Sequence, residues 1–119
     1  MSDWELVFYE TATGNRPVEM FLDELPVADA GRVTRKLELF EALGIRLGMP
    51  HARPIAGSDL WELRVRGRTQ QRIMYVAITG RRMLLLHGFT KKTQQTPARE
   101  IRVAEQRLAD HRERGRRFT

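Results

Sequence analysis

The sequence predicts an α+β domain built as an N-terminal strand, a helical hairpin, a three-stranded antiparallel meander and a C-terminal helix. Three observations carry this. Apolar residues recur at helical spacing between Pro17 and Leu43. From Trp61 the period changes to 2, with Trp61, Leu63 and Val65 alternating with Glu62, Arg64 and Arg66. Ile101, Ala104 and Leu108 then return to helical spacing. The length of 119 residues suits one domain, 1–119, and a hydrophobic fraction of 41% supplies one core.

Residues 4–9, rich in aromatic and β-branched types, read as the first strand. Thr13-Gly14-Asn15 is a turn, and Pro17 suits the first position of a helix in which Val18, Phe21, Leu22 and Leu25 share a face. Pro26 closes it. A second helix is expected from about Ala28 to Leu43, with Val33, Leu37, Phe40 and Leu43 inward and Gly44 as its C-cap. Residues 45–59, with Gly48, Pro50, Pro54 and Gly57, read as a loop. The meander follows: a strand around 61–66, a turn at 67–70, a strand over 72–78, a turn at 79–82 and a strand over 83–89. Thr96-Pro97 supplies an N-cap and a first-turn proline for the last helix, whose basic end, Arg112 to Arg117, is expected to fray.

Several classes are excluded. There is no cysteine, hence no disulfide, thiolate nucleophile or cysteine metal site. No apolar run approaches the roughly 18 residues of a membrane span, and the acidic start lacks a signal-peptide pattern, which points to the cytoplasm and to no membrane partner. His51, His87 and His111 stand apart in sequence without a metal-site spacing, so neither metal nor cofactor is expected. Phosphate-cradling glycine motifs are absent, and the two serines, Ser2 and Ser58, have no nucleophile elbow around them. His87, set among leucines, reads as a satisfied, partly buried histidine, and Trp4 and Trp61 as core or interface anchors.

The charge is informative through its distribution. The net charge is +6, yet residues 1–31 hold seven acidic side chains and one basic one, Arg16. Between Glu62 and Glu100 there are nine basic residues and no acidic one. A one-signed stretch along successive strands makes a field that attracts polyanions. Arg64 and Arg66 lie on the polar side of the first meander strand with Glu62, Arg72 opens the next, and Lys91 and Lys92 follow the third; an antiparallel meander brings such positions together. Arg68, Arg81 and Arg82, in the two turns, add to a nucleic-acid-binding surface. Such a cluster suits phosphoryl chemistry: arginine grips phosphate through two donors and lysine supplies a point charge. RNA carries its own nucleophile, the 2′-hydroxyl, so positioning and charge stabilisation supply much of the catalysis without a metal. The bland alternative is a solvated basic face, with Glu62 a structural partner for Arg64.

Leu60 to Arg64 (LWELR), Arg72 to Tyr75 (RIMY), Leu85 to Thr93 and Thr96-Pro97 together resemble the phage-derived branch of the HigB toxins within the RelE/ParE superfamily. The resemblance spans essentially the whole chain. It implies a RelE-like fold, a small twisted antiparallel sheet packed against helices. It implies a type II toxin whose partners are a cognate helix-turn-helix antitoxin, the ribosome and mRNA, and whose activity is metal-free mRNA cleavage. Carried over by position, it implies Arg72 as the transition-state stabiliser, with Arg64 and one of Lys91 and Lys92 assisting; it supplies no general base, for which Glu62, a carboxylate that stays ionised among cations, is the candidate that the residues themselves offer. The pattern departs where relatives often carry lysines on the first meander strand; here Leu60 and Glu62 stand. Two other readings fit the residues: a ParE-like gyrase poison, and a non-enzymatic nucleic-acid-binding module using the same basic face.

Overall fold

The computed structural model describes residues 3–117, with side chains through residue 115; the outermost ends of the expected 1–119 domain lie outside the described residues. The order is β1 (Glu5–Phe8), α1 (Pro17–Asp23), α2 (Val27–Leu43), a short 3-10 turn (Gly44–Arg46), β2 (Ala52–Pro54), β3 (Trp61–Val65), β4 (Gln70–Ile78), β5 (Arg82–Lys91) and α3 (Ala98–Arg117). The five strands form one mixed sheet in the order β1-β5-β4-β3-β2.

Four sequence expectations change. The sheet is not wholly antiparallel, because β1 pairs in parallel with β5, Leu6 opposite Met83 and Phe8 opposite Leu85. The segment 45–59 is not all loop: Ala52–Pro54 adds an edge strand, Arg53 opposite Glu62. Pro54 is tolerated there because an edge strand leaves one row of N–H positions unneeded. Arg112–Arg117 does not fray but continues α3. Arg114 helps: its Nε donates to Asp110 Oδ2 at 3.0 Å, one turn back, and its Nη2 to the Glu10 carbonyl. The first helix also ends at Asp23, short of Leu25, ahead of Pro26.

The sheet has a core on each face. Val33 and Phe40 of α2 and Val18 of α1 pack with Leu63, Val65, Ile73, Tyr75, Met83 and Leu85 on one side. Ala104 and Leu108 of α3 pack with Leu60, Met74, Val76, Leu84, Leu86 and Phe89 on the other. β4 and β5 are therefore apolar on both faces, as expected of central strands. A bulge between Met74 and Tyr75 leaves Leu86 and His87 consecutively on the α3 side. Gly44 caps α2 as expected, its N–H donating to the Phe40 carbonyl. Its φ of +55° and the Trp4 indole, which a Cβ would meet at 2.2 Å, both demand glycine. Gly44→Ala should lower stability by about 1–3 kcal/mol through overpacking, read as a shifted urea midpoint at unchanged slope.

Because α3 covers only part of its face, the α3 side of the sheet is left open where β4 begins and β5 ends. That is where the basic residues lie.

Candidate nucleic-acid interface

Strand pairing sets the geometry. Arg64 lies opposite Arg72, Arg72 opposite Phe89, and Gln70 opposite Lys91. Phe89 belongs to the α3-side core, so Arg64, Gln70, Arg72 and Lys91 project from the same face. They surround an open cleft of about 730 Å³, completed by Arg66, Arg68 and Thr69 from the β3–β4 turn and by Thr90, Lys92, Thr93 and Gln94 from the end of β5. Among the described residues, no carboxylate and no aromatic ring lines it.

Arg72 is the floor. Its side chain is fully buried. One terminal nitrogen donates to the Gln71 carbonyl at 3.1 Å and the other to Gln70 Oε1. Its Nε stands 3.5 Å from Glu62 Oε1, an ion pair without hydrogen-bond geometry. Burial pushes the guanidinium pKa down, Glu62 opposes this, and Arg64, Arg53 and Arg66 add to the depression. Arginine stays charged regardless, so the cleft floor holds a desolvated cation.

Glu62 lies beneath the cleft, not in it. Alternation along β3 puts it on the polar side, but Arg72, Arg53 and Thr96 bury it completely. The Thr96 hydroxyl donates to Oε2 at 2.6 Å, and Arg53 Nε stands 3.8 Å from Oε1. Thr96 is therefore not the helix cap read from sequence; the Pro97 carbonyl accepts the first turn's N–H of Glu100 at 3.1 Å. Glu62 pairs with Arg72 and Arg53 and not with Arg64.

Lys91 is buried at the cleft wall. Burial lowers its amine pKa first, the positive charges of Arg72, Arg53 and Arg64 lower it further, and Glu62 opposes them. Arg64 Nε is buried without a hydrogen-bond partner. The structure thus brings together Arg64, Arg66, Arg68, Arg72, Lys91 and Lys92 with Glu62 below them. It does not bring Arg81 and Arg82, which lie at the other end of β4 and β5. There Arg81 stacks over Trp4, 4.9 Å from the ring centroid, and Arg82 Nε donates to the Thr79 carbonyl at 2.7 Å. Sequence reasoning missed Arg53, Gln70 and Thr96. Arg53 sat in an apparent loop, and the other two were read as turn and cap residues.

His87 is structural. Its Nε2 lies 2.7 Å from Glu100 Oε1 and its Nδ1 3.2 Å from Arg107 of α3. Burial is the first cause lowering its pKa from 6.5, as it is for His111. A histidine with a depressed folded pKa contributes stability that is complete above pH 6.5 and is lost as pH falls through the folded value. The thermal midpoint should therefore fall as pH is lowered below 6.5. His87→Gln/His111→Gln should flatten that slope, and an equally steep loss in the double variant would contradict the assignment.

No helix among the described residues is long and apolar enough to cross a membrane. Among curated proteins, none matches the sequence. A family model described as phage-derived protein Gp49-like (DUF891) matches residues 20–109, about three quarters of the chain. The matched span holds α2, all the cleft residues and most of α3. With four of its five strands, α2 and its cation-lined cleft inside that span, the chain belongs to the family of phage-derived Gp49-like proteins.

Proposed function

We propose that the protein is the toxin of a type II toxin–antitoxin pair, a ribosome-dependent endoribonuclease that cuts mRNA without a metal and is held in check by a helix-turn-helix antitoxin. The carrying observation is the convergence of Arg64, Arg66, Arg68, Arg72, Lys91 and Lys92 on one cleft with no carboxylate on its lining. Family membership supports the toxin reading.

The chemistry follows from these groups. The scissile phosphate enters above Arg72 and takes the guanidinium donor now given to Gln70, while Arg64 directs its orphaned Nε to a second oxygen. Lys91, whose burial disfavours the charged amine, removes the 2′-hydroxyl proton. The 2′-oxygen bonds to phosphorus, the bond to the 5′-oxygen breaks, and that oxygen takes a proton from the Lys92 ammonium. The products are a 2′,3′-cyclic phosphate and a 5′-hydroxyl. Glu62, out of reach of substrate, holds Arg72 in place. The cleft has no ring on which a base can stack, so alignment of the 2′-oxygen falls to the ribosome that presents the message.

The test is to incubate wild type with end-labelled mRNA and translating ribosomes and to identify the new 3′ ends by mass spectrometry. Cyclic phosphate ends support the reading. Intact RNA, with inhibition of gyrase supercoiling, would assign the protein to a gyrase poison instead. The single-turnover rate should rise with pH and level off below the 10.5 of an ordinary lysine. Lys91→Arg should abolish that pH dependence and lower the rate about 10²–10⁴-fold, as for loss of a general base; an unchanged profile would remove Lys91 from the role.

A further inference from the structure

A second basic hollow, of about 380 Å³, lies on the other flank of β3, against α2. Arg32, Arg35 and Lys36 of α2, His51 ahead of β2, Arg64 of β3 and Arg66 just after it line it. Arg64 and Arg66 also line the cleft, so the two hollows form one cation-lined track around the end of β3.

The hollow is built rather than incidental. Lys36 Nζ lies 2.7 Å from His51 Nδ1, and the His51 carbonyl accepts the Arg64 N–H at 2.7 Å, which ties α2, the segment before β2 and β3 together. Asp29 Oδ1 accepts from Arg32 at 3.2 Å and from the Thr69 hydroxyl at 3.3 Å, fixing α2 to the β3–β4 turn and hence one hollow to the other. Arg32 is thereby neutralised at the rim. Among the described residues, Arg35, Lys36, Arg64 and Arg66 have no carboxylate partner. Burial, and then the charge of Arg66, lower the Lys36 pKa, so an anion entering here relieves a crowd of like charges.

We propose that this hollow is a second phosphate subsite for single-stranded RNA: the strand whose phosphate sits over Arg72 runs across Arg66 and seats a flanking phosphate between Arg35, Lys36 and His51. The placement of the cut phosphate rests on the nuclease reading; the subsite itself rests on the linked hollows. Cations strung along a track match a ligand with one charge per repeat.

The test measures anisotropy of labelled 2′-O-methyl RNA, a trinucleotide and a nonamer, over a range of salt. Wild type should bind the nonamer more tightly and with a steeper salt dependence. Arg35→Gln/Lys36→Gln should lose about tenfold of nonamer affinity, and its salt slope should be shallower by about 0.7, for one phosphate neutralised on a single strand. Arg35→Glu, on an exposed side chain, is the second variant and should lose at least as much. Arg102→Gln, exposed on α3, should keep the wild-type length dependence. No gain with length, or a gain that both variants keep, would overturn the subsite. An acidic nonapeptide that outcompetes the RNA and depends on Arg35 and Lys36 would also overturn it, by assigning the hollow to a protein segment. Failure of the nuclease reading looks different: no cleavage by wild type, with the length dependence intact.

Discussion

Arg72→Lys is expected to lower ribosome-dependent mRNA cleavage by about 10²–10³-fold, the usual loss when one transition-state donor is removed. Geometry matters here more than charge. Arg72 stands fully buried on the cleft floor, with donors aimed at Gln71 and Gln70 and an ion pair to Glu62. Lysine preserves the positive charge opposite Glu62 but presents a point charge in place of a planar fork, so it cannot hold Glu62 and a phosphate together. The variant should unfold cooperatively, close to wild type, in urea while its cleavage falls. Wild-type cleavage by a folded Arg72→Lys protein would remove Arg72 from the chemistry.

Glu62→Ala should be the most destabilising single change, costing about 3–5 kcal/mol, because it leaves a buried guanidinium without its counter-charge. Glu62 is wholly buried and faces Arg72, Arg53 and the Thr96 hydroxyl together. Removing it strands one cation completely and exposes a second to like-charge repulsion. The double variant Glu62→Leu/Arg72→Met should recover most of the loss, since replacing a buried ion pair with apolar groups of similar size is often neutral or better. Urea unfolding of the two single variants and the double variant checks this. If Glu62→Ala costs under about 1 kcal/mol, the pair behaves like an exposed one and the account of the cleft floor is wrong.

Much of the architecture is legible in the residues. The switch from Val33, Leu37 and Phe40 to Trp61, Leu63 and Val65 marks helix and strand because local periodicity reports which side of an element is buried. What escaped are the features set by distant contacts. β2 is three residues long and ends at Pro54, too short and too broken to carry a period. The parallel pairing of β1 with β5 joins segments far apart in sequence, which no local pattern encodes. In the site, Arg64, Arg72 and Lys91 could be placed on one face because antiparallel register follows from the hairpin turns. The burial of Glu62 could not, since alternation reports the face and not what covers it; Arg53 and Thr96 arrive from an edge strand and from the segment ahead of α3. The same limit hid the second hollow. Arg32, Arg35 and Lys36 look like the solvated face of a helix until His51 and Arg66 are brought against them. Conversely, Arg81 and Arg82 share the basic run in sequence, but hairpin geometry sends them to the opposite end of the sheet.

The central claim is that the basic cleft cuts messenger RNA presented by the ribosome. Its most direct measurement is 5′-end mapping by primer extension in a reconstituted translation reaction, with and without ribosomes, for wild type and Arg72→Lys side by side. The account predicts new 5′ ends with wild type only when ribosomes are present, and their near disappearance in the variant. No new ends with wild type in either condition, or equal cutting by both proteins, would contradict it.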